Sequence, residues 1–359
     1  MCKHASKVSN GKKDDVSSIR WLAGMFCASI FTFTYIFAPI YIFSATLALL
    51  FRYPDIKIAS VYALPLIISI FSSSKGMPGV VGMLSPMLDY FDYEAIVENK
   101  EALEENLDKG KNFIFACQPH GVISFCGMCS SVHGKYKYRG LKTAAASALL
   151  KFPILKNVMG IFALTDANGK NLKKILRKPG IDGSIVIYVG GIAELFKSSR
   201  KEERLFLSQR KGFIKLSLRE GVDIIPVYLF GNTSILTVVS EMNFSIANYI
   251  ISYHDSDIRY VCHFMQFMWQ LKTGRLAKLS RKLQTSFTIF WGKYYLPIPR
   301  DERLLYVAGK AIEIPKISEP TLEDIDKYHK IYVQEVRRIF DTYKSRAGPV
   351  YENKNLFID

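Results

Sequence analysis

Four apolar runs punctuate the middle and end of the chain, and three of them run directly into turn residues. Residues 113–116 (FIFA) lead to Pro119-His120-Gly121, and residues 184–189 (SIVIYV) to Gly190-Gly191. Residues 224–230 (IIPVYLF) end at Gly231-Asn232, and a shorter run covers 304–308. Short runs rich in β-branched and aromatic residues, bounded by Gly or Pro, predict buried strands. Helical patterns lie between them: a charged amphipathic stretch at 98–111, another at 144–155 up to a break at Pro153, and residues 212–220 closing at Gly221. Thr321 followed by Asp324 predicts a helix start, a capping box with Asp in place of the usual Glu or Gln. Ile325, Tyr328, Tyr332, Val336, Ile339 and Phe340 then recur at helical spacing as its core face. Strands alternating with helices predict an α/β fold, a sheet flanked by helices with function at one edge.

The N-terminal third is patterned differently. Residues 1–20 are polar and mostly basic and read as a disordered tail. Residues 21–51 hold no charge, a stretch longer than the about 20 residues that cross a bilayer as a helix. Pro39 near its middle is a place for a kink or a split. A second apolar run, 58–71, contains Pro65 and is short for a full span, which suits a re-entrant segment. Together they predict an N-terminal membrane-embedded helical hairpin over 21–72, with both ends cytosolic. A signal peptide fits less well, because the first run is too long and no small-residue cleavage site closes it. Residues 72–86 read as a Ser/Gly/Pro linker. The catalytic domain is expected over 80–346, followed by a C-terminal tail, 347–359. Residues 243–282 mix Phe264, Met265, Phe267, Met268 and Trp269 with Arg275, Lys278, Arg281 and Lys282. That stretch is either a surface helix or lid against lipid or an ordinary core helix.

Charge narrows the partners. The 359 residues carry a net charge of +16, with a pI near 9.4. No zinc-finger or homeodomain pattern accompanies the excess, so nucleic acid is not the expected partner. With the apolar N-terminal third, an anionic lipid bilayer and a phosphate-bearing substrate are. The six cysteines form no disulfide ladder for a chain this long and suit a reducing compartment.

The candidate chemistry sits at the strand ends. His120, in a turn fixed by Pro119 and opened by Gly121, is either a general base near neutral pH or a histidine merely satisfied in a turn. His120, Cys126, Cys129 and His133 offer a Cys-x2-Cys pair, but the flanking His positions miss the common zinc pattern. Gly-x-Ser-x-Gly, P-loop and Gly-x-Gly-x-x-Gly motifs are all absent, so serine hydrolysis, nucleotide hydrolysis and dinucleotide redox chemistry have no support. Asn232-Thr233-Ser234 and Asn243-Phe244-Ser245 match the glycosylation sequon, and a cytosolic domain would leave both unmodified.

The ordered blocks Gln118-Pro119-His120-Gly121, Val-Gly-Gly-Ile-Ala-Glu (189–194), Arg-Lys-Gly-Phe (210–213), Pro-Val-Tyr-Leu-Phe-Gly (226–231) and Leu-Pro-Ile-Pro (296–299) resemble the type-2 diacylglycerol acyltransferase family, which includes monoacylglycerol and wax-alcohol acyltransferases. The resemblance implies a glycerolipid-acyltransferase-like sheet. It also implies transfer from acyl-CoA, a co-substrate, to diacylglycerol at the endoplasmic reticulum membrane or lipid-droplet surface, with no metal or bound cofactor. A sister activity on monoacylglycerol or a long-chain alcohol, and a non-catalytic lipid-droplet scaffold, are the alternatives; a homo-oligomer is compatible with the sequence. His120 is then the catalytic base and Glu194 its candidate orienting partner, since Phe125 stands where a His-x4-Asp motif would place Asp; a carboxylate on a helix dipole is the other reading of Glu194. Gln118 and Pro119 are expected at the substrate site; Gly121 lets another chain or a substrate come close, and Gly190, Gly191 and Gly231 either let substrate approach or are turn glycines that need φ > 0. Arg210 and Lys211, with Gly212, are expected to meet the CoA phosphates, against the alternative of solvated surface charge. Three positions depart from the family pattern: Gln118 for His, Asp92 for Pro in Tyr90-Phe91-Asp92, and Asn232 for Glu, to which no catalytic role is assigned.

Overall fold

A computed structural model describes residues 17–134, 141–191, 194, 202–238 and 290–359. Residues 1–16 of the basic tail, Cys2, Cys262, the 243–282 segment and its sequon lie outside the described residues.

Helix α1 (Ser18–Phe51) starts at an N-cap where the Ser17 side chain accepts from the Arg20 amide, and it runs unbroken through Pro39. Helix α2 (Ile56–Phe71) likewise holds Pro65 within it. Proline is tolerated there because the loss of one backbone donor is small beside the apolar surface these helices offer. Ala45, Ala63 and Leu66 form the seam between the two, with the Tyr41 hydroxyl donating to the Tyr62 carbonyl at 2.6 Å. The first half of α1 packs elsewhere, placing Ala28 and Phe31 in the core of the following domain. Arg20 pairs with Asp89 at 2.5 Å there.

The expected linker is not one. It contains α3 (Pro78–Met83), started by proline at its N-terminus, and runs into α4 (Pro86–Tyr90); Val81, Leu84 and Met87 are buried. Gly and Pro signalled a break in the helix pattern, but the apolar residues between them still had a face to bury.

The remaining elements are β1 (Glu94–Val97), α5 (Lys100–Asp108), β2 (Phe113–Gln118), α6 (Phe125–His133), β3 (Lys142–Ala145), α7 (Ser147–Lys151), α8 (Leu155–Gly160), β4 (Leu164–Asp166), α9 (Gly169–Leu176), β5 (Ile185–Tyr188), β6 (Glu203–Leu205), α10 (Gly212–Glu220), β7 (Asp223–Phe230), β8 (Thr237–Val238), β9 (Phe290–Trp291), β10 (Leu305–Ala308), α11 (Leu322–Tyr343), α12 (Pro349–Glu352) and β11 (Leu356–Ile358). A seven-stranded sheet takes the order β1-β10-β7-β2-β5-β3-β4. Strands β2 and β7 at its centre are wholly buried because both faces are covered. Phe113, Phe115 and Cys117 face one helix layer, Ile114 and Ala116 the other; Ile225, Val227 and Leu229 alternate with Ile224, Tyr228 and Phe230 in the same way. The layer holding α6 and α1 covers the first face, and α9, α10 and α11 cover the second.

Two expectations fail here. Residues 144–145 belong to β3, not to a helix, because pairing of that strand with β4 and β5 overrides the strong helix preference of its alanines. Residues 347–359 are no tail: α12 buries Tyr351, and β11 pairs parallel with β6 in a separate two-stranded sheet. By contrast, the Thr321–Asp324 capping box is formed, and Ile325, Tyr332, Val336, Ile339 and Phe340 are buried along α11 as the spacing requires.

Candidate active site

Strands β5 and β7 both pair parallel with β2, so the turns that follow all three emerge at one edge of the sheet. Carboxyl ends of parallel strands are where α/β folds form clefts. This juxtaposes His120, Gly190-Gly191 and Gly231-Asn232, which lie far apart in the chain.

His120 is half-buried. Its Nδ1 lies 2.7 Å from the Gly121 carbonyl. A carbonyl only accepts, so Nδ1 carries the proton and Nε2 keeps the lone pair. The ring meets the Tyr188 ring edge-on, with centroids 4.6 Å apart. Burial pushes the imidazole below its ordinary value, against a smaller opposing effect of the Gly121 bond. The neutral, proton-accepting form therefore prevails at pH 7.

The backbone of the turn is fixed from both sides. Glu194 is fully buried and its Oε2 accepts the His120 amide at 3.2 Å, while Oε1 accepts the Phe206 amide at 3.3 Å. Asn232 does the complementary work: Nδ2 donates to the Pro119 carbonyl at 3.1 Å and the His120 carbonyl at 2.5 Å, and Oδ1 accepts the Cys126 amide at 3.1 Å. Glu194 thus meets the His120 main chain where the sequence suggested its imidazole. Burial pushes its carboxyl up to about 7; the His120 and Phe206 amides oppose that shift, Glu203 adds to it and Arg210 works against it.

Linkage fixes the sign of the consequence. A carboxyl raised from 4.5 to about 7 leaves the folded state with more bound protons than the unfolded state between those pH values. Stability therefore falls as pH rises through that window. Glu194→Gln is uncharged, so the stability difference between variant and wild type should move in the variant's favour from pH 5 to pH 8. Its turnover should fall about tenfold, because an amide cannot accept from both N–H groups with both of its heavy atoms. Thermal unfolding at the two pH values, run beside turnover, checks both; an unchanged difference counts against the assignment.

Other parts of this chain lie close against three of the glycines. A Cβ at Gly190 would collide with the Glu194 carboxyl, one at Gly231 with the Arg303 carbonyl, and one at Gly121 would stand 2.7 Å from the Asn232 carbonyl. Gln118 and Pro119 are buried, and Gln118 Oε1 accepts from the Tyr332 hydroxyl at 2.6 Å. Lys211 is tied to Asp326 at 2.5 Å, and Gly212 opens α10 with free space around it. Arg210 is exposed beside Gly191, where a Cβ would lie 3.6 Å from its Nη2, and its guanidinium stands 5.6 Å from the Phe206 ring centroid. Lys211 is thus held by a carboxylate, while Arg210 presents its guanidinium at the surface.

A cavity of about 380 Å³ lies under the first helix layer, walled mainly by apolar side chains such as Val81, Leu103, Phe115, Ile161 and Phe162. Tyr188 lines it, and its ring also meets the His120 ring, so this side chain stands between the cavity and the His120 turn. Among the described residues no three His, Cys, Asp or Glu side chains converge as metal ligands.

A family model described as diacylglycerol acyltransferase matches residues 48–359. The chain belongs to the diacylglycerol acyltransferase family. Its relatives include diacylglycerol O-acyltransferase 2 of Dictyostelium discoideum, 31% identical over 277 residues, covering 76% of each chain. The Danio rerio protein of that name is 28% identical over 76% of this chain and 70% of its own length. The human one is 27% identical over 72% of this chain and 62% of its own. The crystal structure of a 1-acyl-sn-glycerophosphate acyltransferase from Thermotoga maritima aligns over 90% of this chain and 99% of that one, with a TM-score of 0.39 and 11% identity.

Two departures of this diacylglycerol acyltransferase family member now have a local account. Asp92 has φ +42, which proline cannot adopt, and its carboxylate pairs with Arg303. Asn232 is the clamp that sequence reasoning passed over; its only signal was a polar residue directly after the Gly that ends a buried strand. Asn232, the first residue of its sequon, is 2% exposed. Tyr188 gave no signal, being one more aromatic in an apolar strand.

Proposed function

We propose that this diacylglycerol acyltransferase family member transfers a fatty acyl group from acyl-CoA to the hydroxyl of diacylglycerol, forming triacylglycerol, with His120 as general base. Family membership across residues 48–359 supports the reaction. The observation that carries the base is the Nδ1–H bond to the Gly121 carbonyl, which leaves Nε2 free to take a proton. Nε2 removes the hydroxyl proton as the oxygen attacks the thioester carbon. The new C–O bond forms, the C–S bond breaks, and the imidazolium returns its proton to the departing CoA thiolate. Glu194 and Asn232 hold the turn still, so little reorganisation accompanies the step. Arg210 is the side chain best placed for a CoA phosphate, and the apolar cavity beside Tyr188 suits a fatty chain.

The bilayer completes the reading. Helix α1, at 34 residues, is about 50 Å long, against a hydrocarbon core of about 30 Å. Phe26, Ile40, Phe43, Leu50 and Phe51 along it, and Ile58, Val61 and Phe71 on α2, are exposed. We read the paired ends of α1 and α2 as a membrane-embedded hairpin and the first half of α1 as the element that seats the catalytic domain on the surface. The endoplasmic reticulum and lipid-droplet surfaces are the proposed locations.

Membranes containing the protein, given labelled acyl-CoA and a panel of diacylglycerol, monoacylglycerol and long-chain alcohol, should accumulate labelled triacylglycerol. Labelled wax ester or diacylglycerol as the main product would reassign the acceptor. No labelled neutral lipid above background would favour a scaffold.

A further inference from the structure

The last eleven residues reach the His120 turn by two separate routes. In the first, the buried Tyr351 hydroxyl accepts the Gly231 amide at 2.8 Å and donates to Glu203 Oε1 at 2.9 Å. Glu203, with no exposed surface, also receives the Thr233 hydroxyl at 2.6 Å and Lys354 Nζ at 3.1 Å, and the Tyr228 hydroxyl reaches its Oε2 at 3.3 Å. Gly231 and Thr233 flank Asn232, whose amide holds the Pro119 and His120 carbonyls. In the second, β11 pairs with β6, and Asp359 closes the end of that ladder. Its amide donates to the Leu205 carbonyl at 2.9 Å, and its carbonyl accepts from Leu207 and Ser208 at 3.0 and 2.8 Å. Phe206, enclosed by these bonds, donates to Glu194, which accepts the His120 amide.

We propose that residues 349–359 form a positioning latch for His120, with Tyr351 and Glu203 as positioning residues. One route terminates on the carbonyl of His120 and the other on its N–H. A buried ion pair such as Glu203–Lys354 is a poor staple if stability alone is at issue, since packed apolar residues serve as well. What apolar residues cannot supply is a hydrogen-bond acceptor for the Gly231 amide and directional bonds to both neighbours of Asn232. The latch fixes where the imidazole stands relative to the cleft; small displacements of a reacting group are costly, reaching about 10²-fold for 1 Å.

The kinetic part rests on the reading of His120 as base, so the test includes a readout that does not. Tyr351→Phe keeps the ring and removes the hydroxyl. Ile175→Ala, in the helix layer but in neither route, serves as a control of comparable or greater destabilisation. On full-length protein in membranes, below the unfolding temperature of both, Tyr351→Phe should lower kcat about tenfold with KM for acyl-CoA within twofold. It should also speed modification of His120 by diethyl pyrocarbonate several-fold, followed by peptide mass spectrometry. Ile175→Ala should change neither. Faster modification with unchanged kcat would uphold the latch and remove His120 as the base. Unchanged modification in Tyr351→Phe, or equal effects in the control, would overturn the latch.

Discussion

His120→Ala should reduce acyl transfer by about 10²- to 10⁴-fold, the range a positioned general base contributes. The loss should fall on kcat, because the imidazole acts on the acceptor proton and not on the binding of acyl-CoA. The variant should still accumulate in membranes. The side chain is half-buried, and among the described residues its ring bonds only to the neighbouring carbonyl, so truncation there orphans no distant partner. Turnover measured against the amount of membrane-bound protein tests both parts. A variant with near-wild-type kcat would leave the strand-end turn without a chemical role.

The second large effect is expected at Asn232, which never touches the reacting atoms. Asn232→Ala removes three side-chain hydrogen bonds at a buried site, leaving the Cys126 amide and the Pro119 and His120 carbonyls to find other partners. Each buried group left unsatisfied costs about 1–3 kcal/mol, so a loss of at least about 2 kcal/mol in stability is expected, together with about 10²-fold in kcat. Asn232→Asp separates geometry from packing. It keeps size and the acceptor for Cys126, but faces two carbonyl oxygens with a carboxylate oxygen that cannot donate. It should therefore match the alanine variant in lost turnover. Thermal unfolding and steady-state kinetics of the two variants decide this, and an active Asn232→Asp would show that the clamp is dispensable.

The two carboxamide and carboxylate clamps also explain why the glycines matter. Gly190 and Gly121 are small so that Glu194 and Asn232 can lie against the turn. The same residues, read without neighbours, fit an opening for substrate, a close chain contact or a plain turn equally well. Lys211 shows the same limit: its charge was legible, its partner Asp326, 115 positions away, was not.

What the chain discloses by itself is whatever depends on near neighbours. The apolar runs that became β2, β5, β7 and β10 follow from short apolar stretches bounded by turn residues, the helix at 212–220 and the stripe along α11 from helical spacing, and the Thr321–Asp324 cap from two residues three apart; the structure contains each of them. The blocks around His120, Gly190, Gly231 and Arg210 were enough to indicate the family. Tertiary structure alone decided the β3 strand at 142–145, the burial of 349–359, and the pairing of Glu194 with a main-chain amide 74 residues away, of Asn232 with Cys126 across 106 residues and of Tyr351 with Gly231 across 120. Those contacts depend on which strands become neighbours. Strand order is set by how the two helix layers bury the sheet as a whole, and no local spacing encodes it.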